Sequence, residues 1–168
     1  MAAHRLPRRN IASALPRNAA RARGFTLVEL LTVVVVLVVL TTIAVPAFNE
    51  LTASQRVQMA AMDLFTSLLR ARSEAIKQNT DVTLSSAGTW DAGWAVAVGG
   101  TNIDTHAATN NISISNPGVV TVVTYRSSGR VAGSTKPKFS VSATQTAAKR
   151  CVQVNLSGAP VVTSGACS

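Results

Sequence analysis

Few residues in this chain have types and spacings that could do chemistry. Its 168 residues include seven carboxylates, two histidines and two cysteines. His4 falls in an arginine-rich N-terminal stretch and His106 in a polar segment, and neither stands in a pattern with a Ser or Cys nucleophile. Asp81, Asp91 and Asp104 are scattered through turn-like segments, where aspartate serves local backbone hydrogen bonds. No phosphate-cradling glycine loop and no zinc-ligand spacing is present. The expectation is therefore no enzyme, no cofactor and no metal. Two features remain. Cys151 and Cys167 lie close together near the C-terminus with no histidine nearby, which suits a disulfide and offers too few ligands for a metal. A bridge closing a loop of that length is worth roughly 3 kcal/mol in the chain-entropy picture. The other feature is Glu29, a lone acid in an apolar run.

That run must position Glu29, and it organises the chain. Residues 21–48 read RARGFTLVELLTVVVVLVVLTTIAVPAF, with no charge from Leu30 to Phe48. At a rise of about 1.5 Å per residue, a helix from Leu27 to Ala47 spans roughly 30 Å, the thickness of a bilayer's hydrocarbon core. A secretory signal has a shorter apolar region, about 7–15 residues, followed by its cleavage site. Here the polar-to-apolar junction, Gly24-Phe25, precedes the run. Cleavage there would leave the whole segment as the new N-terminus. A carboxylate at the centre of a membrane helix costs about 2.5–3.5 kcal/mol on insertion scales, and less near an end. Glu29 either snorkels at headgroup depth or pairs with a positive charge, such as an α-amino group created on Phe25.

The stretch Gly24-Phe25-Thr26-Leu27-Val28-Glu29-Leu30 resembles the prepilin processing motif of type IV pilins and type II secretion pseudopilins. The resemblance implies a peptidase that cuts after Gly24 and methylates the new amine of Phe25. It implies that Glu29 pairs with a neighbouring subunit's terminal amine during filament assembly. It also assigns Pro46 to the family's helix-loosening proline. The implied partners are the prepilin peptidase, an inner-membrane assembly platform, inner-membrane lipid and other pilins or pseudopilins in a filament.

Charge fits that layout. The net charge is +9, and Arg5, Arg8, Arg9, Arg17, Arg21 and Arg23 supply six of the nine excess positive charges. A pI near 11.1 would suggest nucleic acid, but the leader's arginines read better as a positive-inside signal. The expected division is a leader over 1–24, a transmembrane methylation segment over 25–48 and a periplasmic globular domain over 49–168.

Beyond Pro46, where a kink or local melting is expected, the helical pattern resumes. Leu51, Val57, Ala61, Leu64, Leu68 and Ala75 recur at three- and four-residue spacing through Lys77. Period-two alternation then predicts strands at 81–85, 94–98, 112–115, 119–125, 139–142, 152–156 and 161–163. Asp91-Ala92-Gly93 reads as a turn and 99–111 as a Gly-, Asn- and Thr-rich loop. The expected fold class is α+β, a long N-terminal helix packed on six or seven antiparallel strands. The segments Leu68–Lys77, Trp90-Asp91-Ala92-Gly93-Trp94 and Tyr125–Arg130 resemble the family of type II secretion pseudopilin H and the type IV minor pilin FimT. Trp90 and Trp94 read as packing residues, and Arg72 and Glu74 as flanking the helix's exit from the core. Some FimT-like relatives bind DNA through arginines just after a glycine in the C-terminal cysteine loop. Here Ala159 and Val161 occupy those places, and no Lys or Arg lies between Cys151 and Cys167. Phosphate contacts need such cations, so DNA binding through this loop is not expected. Arg126, Arg130, Lys136, Lys138, Lys149 and Arg150 form a patch only if the strands bring them together; otherwise they are solvated edge charges.

Overall fold

The computed structural model describes residues 24–168. The expected leader through Arg23, with His4 and its six arginines, lies outside the described residues. One helix, α1, runs Leu27–Gln78. Eight strands follow: β1 Val82–Ala87, β2 Thr89–Val98, β3 Thr101–Ala107, β4 Ser113–Ser115, β5 Val122–Tyr125, β6 Lys138–Ser142, β7 Lys149–Val154 and β8 Pro160–Ser164. The chain divides into two compact units, one through Val39 and one from Leu40.

In the first unit α1 is apolar on all sides, and every side chain from Leu27 to Val39 is exposed. A helix hydrophobic all round belongs in lipid or inside a bundle, and α1 is long and apolar enough to cross a membrane. Pro46 sits within α1, which continues without a break. The local melting expected there is absent: proline's ring holds φ near the helical value, and one missing N–H does not end the helix.

In the second unit α1 turns one stripe inward. Ala53, Val57, Ala60, Ala61, Leu64, Leu68, Ala71 and Ala75 are buried at three- and four-residue spacing. The alanines keep this face low, so the strands approach closely. Two antiparallel sheets share the core with it, ordered β3-β2-β1-β5 and β4-β6-β7-β8. Val82, Leu84, Val96, Val123 and Tyr125 point in from the first sheet, and Phe139, Val141, Val152 and Val154 from the second. Trp90 and Trp94 are both buried, as packing residues are. The Trp90 ring meets Phe139 edge-on at 4.7 Å, joining the sheets.

Two expectations need correction. The segment 99–111 holds a full strand, β3, and β2 starts at Thr89, so Asp91-Ala92-Gly93 lies within a strand instead of a turn. Asn102, Asp104 and His106 give β3 no apolar alternation. Its backbone pairing to β2, from Thr101↔Val98 to Ala107↔Gly93, defines it.

The sheets also meet where two turns touch. Gly158, between β7 and β8, has φ +84°, and a Cβ there would fall 1.8 Å from the Gly129 carbonyl oxygen. A side chain at this position is both strained and sterically blocked. Gly158→Ala is expected to destabilise the fold by at least about 1 kcal/mol. Thermal unfolding of the full chain in detergent checks this, and an unchanged midpoint would contradict it.

Candidate functional site

The sequence places its candidate residues in two regions, each within one of the compact units. At the N-terminal junction, Gly24, Phe25 and Thr26 precede α1 and Glu29 lies in its first turn. Phe25 is 78% exposed. A side chain built on Gly24 would meet nothing within 4 Å, and its φ lies outside the left-handed region. Nothing among the described residues requires glycine there. Glu29 is exposed at the end of the helix whose unpaired amides favour a carboxylate. Its own N–H donates to Thr26 Oγ1 at 3.1 Å, and its carbonyl accepts from Thr32 Oγ1 at 2.8 Å.

In the domain, Cys151 on β7 is bonded to Cys167 beyond β8, with Cα atoms 5.0 Å apart. The Cys167 N–H donates to Ser140 Oγ of β6 at 2.8 Å, so the bridged segment is pinned across β6 as well. Arg72 reaches both sheets. Its Nε donates to the Gly129 carbonyl at 3.1 Å, in the turn after β5, and its Nη2 to the Ser157 carbonyl at 3.4 Å, in the turn before β8. Beside this node Tyr125 is fully buried, and its hydroxyl has no hydrogen-bond partner among the described residues. Burial pushes its pKa above the ordinary phenol value, with the Arg72 charge opposing. Glu74 joins Gln78 Nε2 at 2.8 Å and Lys77 Nζ at 3.5 Å. The Gln78 hydrogen bond leads in holding its pKa below the usual carboxylate value. Of the two residues expected at the helix's exit, Arg72 thus ties the sheets to α1, and Glu74 serves the helix end.

The edge strand β3 is held by polar pins. Arg70 Nη1 lies 3.2 Å from Asp104 Oδ2, and His106 Nε2 lies 3.2 Å from Asp63 Oδ2. The His106 ring stacks on Trp94 at 4.1 Å and 5°. Beneath it Trp94 Nε1 donates to the buried Ser67 Oγ at 2.9 Å. No apolar period marks His106 as a strand residue; the signal that points to it is the Asp104-Thr105-His106 alternation opposite Asp63 and Arg70. Of the basic residues, Arg126 and Arg130 line one shallow cavity with Ser128 and Gly133, whereas Lys138 and Lys149 stand apart. Lys149 pairs across β6 with Ser142 and Lys138 with Gln153, at opposite ends of the β6–β7 ladder. Five residues of strand at about 3.3 Å each separate those ends. Among the described residues no cluster of three or more His, Cys, Asp or Glu is placed to hold a metal.

The family described as type II transport protein GspH matches residues 60–158, and the prokaryotic N-terminal methylation motif matches residues 19–45. The first match covers more than half of the chain, including α1's inward stripe from Ala60, Arg72, both tryptophans and Gly158. The chain belongs to the GspH family. It is thus a minor pseudopilin or pilin of the type II secretion and type IV pilus class, whose members are structural subunits. Among solved structures, the type IV minor pilin FimU of Pseudomonas aeruginosa is similar in fold. One crystal form has 20% identity and a TM-score of 0.58, covering 66% of this chain and 99% of FimU. A second form gives 19% and 0.60, covering 68% and 96%. The minor pseudopilin EpsH of the Vibrio cholerae type 2 secretion system gives 14% and 0.51, covering 65% and 97%. No curated protein matches the sequence. The long helix packed on antiparallel sheets is the fold these pilin-like structures share with this GspH-family chain. The methylation motif and the apolar first half of α1 point to a membrane anchor.

The Arg72 node carries a paired expectation of opposite sign. Arg72→Met removes charged donors from two carbonyls and is expected to cost about 1.5–3 kcal/mol. Tyr125→Phe removes an unpartnered buried hydroxyl and is expected to leave stability unchanged or raise it by about 1 kcal/mol. Denaturant unfolding of the two variants checks both, and a large loss for Tyr125→Phe would contradict the assignment.

Proposed function

We propose that this chain is a minor pseudopilin of a type II secretion pseudopilus, cut between Gly24 and Phe25, methylated on the Phe25 amine and assembled through Glu29. The observation that supports the processing step is the match to the prokaryotic N-terminal methylation motif over residues 19–45, within which Gly24 and Phe25 fall; the open space beside Gly24 leaves that junction accessible. The leader's arginines keep the N-terminus in the cytoplasm, the segment 25–48 lies in the inner membrane, and the domain from 49 stands in the periplasm, where the Cys151–Cys167 bridge persists. Partners are the prepilin peptidase, the inner-membrane assembly platform, membrane lipid and other pseudopilins.

Assembly follows from the electrostatics of Glu29. As the subunit leaves lipid, its apolar helix packs against neighbouring helices, and the Glu29 carboxylate meets a neighbour's Phe25 amine. Removing one partner of such a desolvated pair leaves an uncompensated charge and costs about 3–5 kcal/mol. The secretion reading rests on the match to type II transport protein GspH across residues 60–158. The second reading is a type IV pilus minor pilin of the FimT kind, serving pilus biogenesis or DNA uptake. The TM-scores with FimU favour it, but at 19–20% identity they concern fold alone. The absence of Lys and Arg between Cys151 and Cys167 weighs against its DNA-binding form.

Glu29→Ala is expected to be cleaved normally and to be missing from sheared filaments; normal filament content would contradict the pairing. Gly24→Val is expected to accumulate as precursor, and a mature-sized band on a gel would contradict the site. Deleting the gene should abolish export of secreted proteins and spare surface pili. Loss of pili with secretion intact would favour the second reading.

A further inference from the structure

We propose that Thr26 is a positioning residue for processing: its hydroxyl caps α1 at Leu27 and so keeps the Gly24–Phe25 bond out of the helix and open to the peptidase. This inference rests on the proposed cleavage between those residues.

The geometry is that of a helix N-cap. Leu30 N–H donates to the Thr26 carbonyl at 3.1 Å, the first bond of the α-helical ladder. Glu29 N–H, three residues on from Thr26, donates to Thr26 Oγ1 at 3.1 Å. That is the bond by which an N-cap threonine satisfies one of the helix's four unpaired amides. Thr26-x-x-Glu29 is also the spacing of a capping box, whose hydroxyl half is formed here. An N-cap residue has non-helical backbone, so the residues before it leave the helix. Gly24 and Phe25 are outside α1, Phe25 is largely exposed, and the space beside Gly24 is open.

The consequence for a protease is direct. A peptide bond inside a helix has its C=O engaged in the ladder, and beyond the first turn its N–H as well, and must be unwound before an active site can hold it. The apolar run from Leu27 drives helix formation strongly, and Ala22 and Arg23 just upstream are good helix formers. Gly24 between them is itself a poor helix former, and the cap adds a second stop within two residues of the scissile bond. The hydroxyl is what matters in this account. The methyl group of Thr26 contributes nothing to it.

The test is a time course of cleavage of the full precursor in detergent by purified prepilin peptidase, with the product identified by N-terminal sequencing. Thr26→Val keeps the side-chain shape and loses the acceptor. A cap worth about 1 kcal/mol corresponds to roughly a fivefold change in the ratio of open to helical junctions, so the variant is expected to be cut more slowly, by up to about fivefold. Thr26→Asn and Thr26→Ser, which also cap, are expected to restore the rate, which a loss of packing would not explain. Cleavage of Thr26→Val at the wild-type rate would overturn the proposal and leave the processing site standing. So would a Thr26→Asn rate as low as that of Thr26→Val, because the peptidase would then be reading threonine itself. A wild-type chain left uncut between Gly24 and Phe25 would overturn the processing site and this proposal together.

Discussion

The constraint on which the rest of the structure depends is that one helix carries more apolar surface than the domain can cover. From Ala53 onward α1 hides a stripe of alanine, valine and leucine under two sheets, whereas from Leu27 to Phe48 its side chains all remain exposed. At about 25 cal/mol per Å2 of apolar surface, so long a run is untenable in water. It needs lipid, or other helices of the same kind. The domain and the anchor are therefore answers to one problem posed in two environments. The lone carboxylate of Glu29 sits where the second answer begins.

Within the domain, polar contacts at the rim arrange what the apolar core leaves free. The core fixes which faces turn inward, through residues such as Leu64, Tyr125 and Phe139. Arg72 then holds one turn from each sheet, and the Gly158 backbone is pressed against the Gly129 carbonyl. The Arg70–Asp104 and Asp63–His106 pairs bind an edge strand that has few apolar side chains to contribute. Exposed pairs of this kind add little stability each. Their contribution here is to place β3, which reaches the interior through the His106 ring stacked on Trp94 and through Ile103 packed against the core.

The fold class and most of the elements were legible in the sequence, because the physics that sets them is local. The three- and four-residue spacing through Leu64 and Leu68 identifies the inward face of α1, and the alternation at 139–142 and 152–154 identifies β6 and β7. β3 was illegible because its alternation is written in Asn102, Asp104 and His106, which carry no hydrophobic period. The division into two sheets was illegible for another reason: β5 joins β1 and β4 joins β6 across long stretches of chain, and no local pattern encodes a partner. The same holds for Arg72, whose carbonyl partners lie 57 and 85 residues away. The N-terminal site is the reverse case. Its residues are contiguous, so the Gly-Phe junction, the acid and the apolar run can all be read in order. The bond from the Glu29 amide to the Thr26 hydroxyl appears only in the structure.

The pilin route, from a membrane-inserted precursor to a processed filament subunit, would leave its mark on the N-terminus of this chain. The most direct test is the intact mass and N-terminal sequence of the protein extracted from membranes of cells that also make the prepilin peptidase. The pilin route requires a chain beginning at methylated Phe25, two hydrogens lighter than its reduced form for the one disulfide. A chain still beginning at Met1, or one trimmed past Phe48, would contradict it.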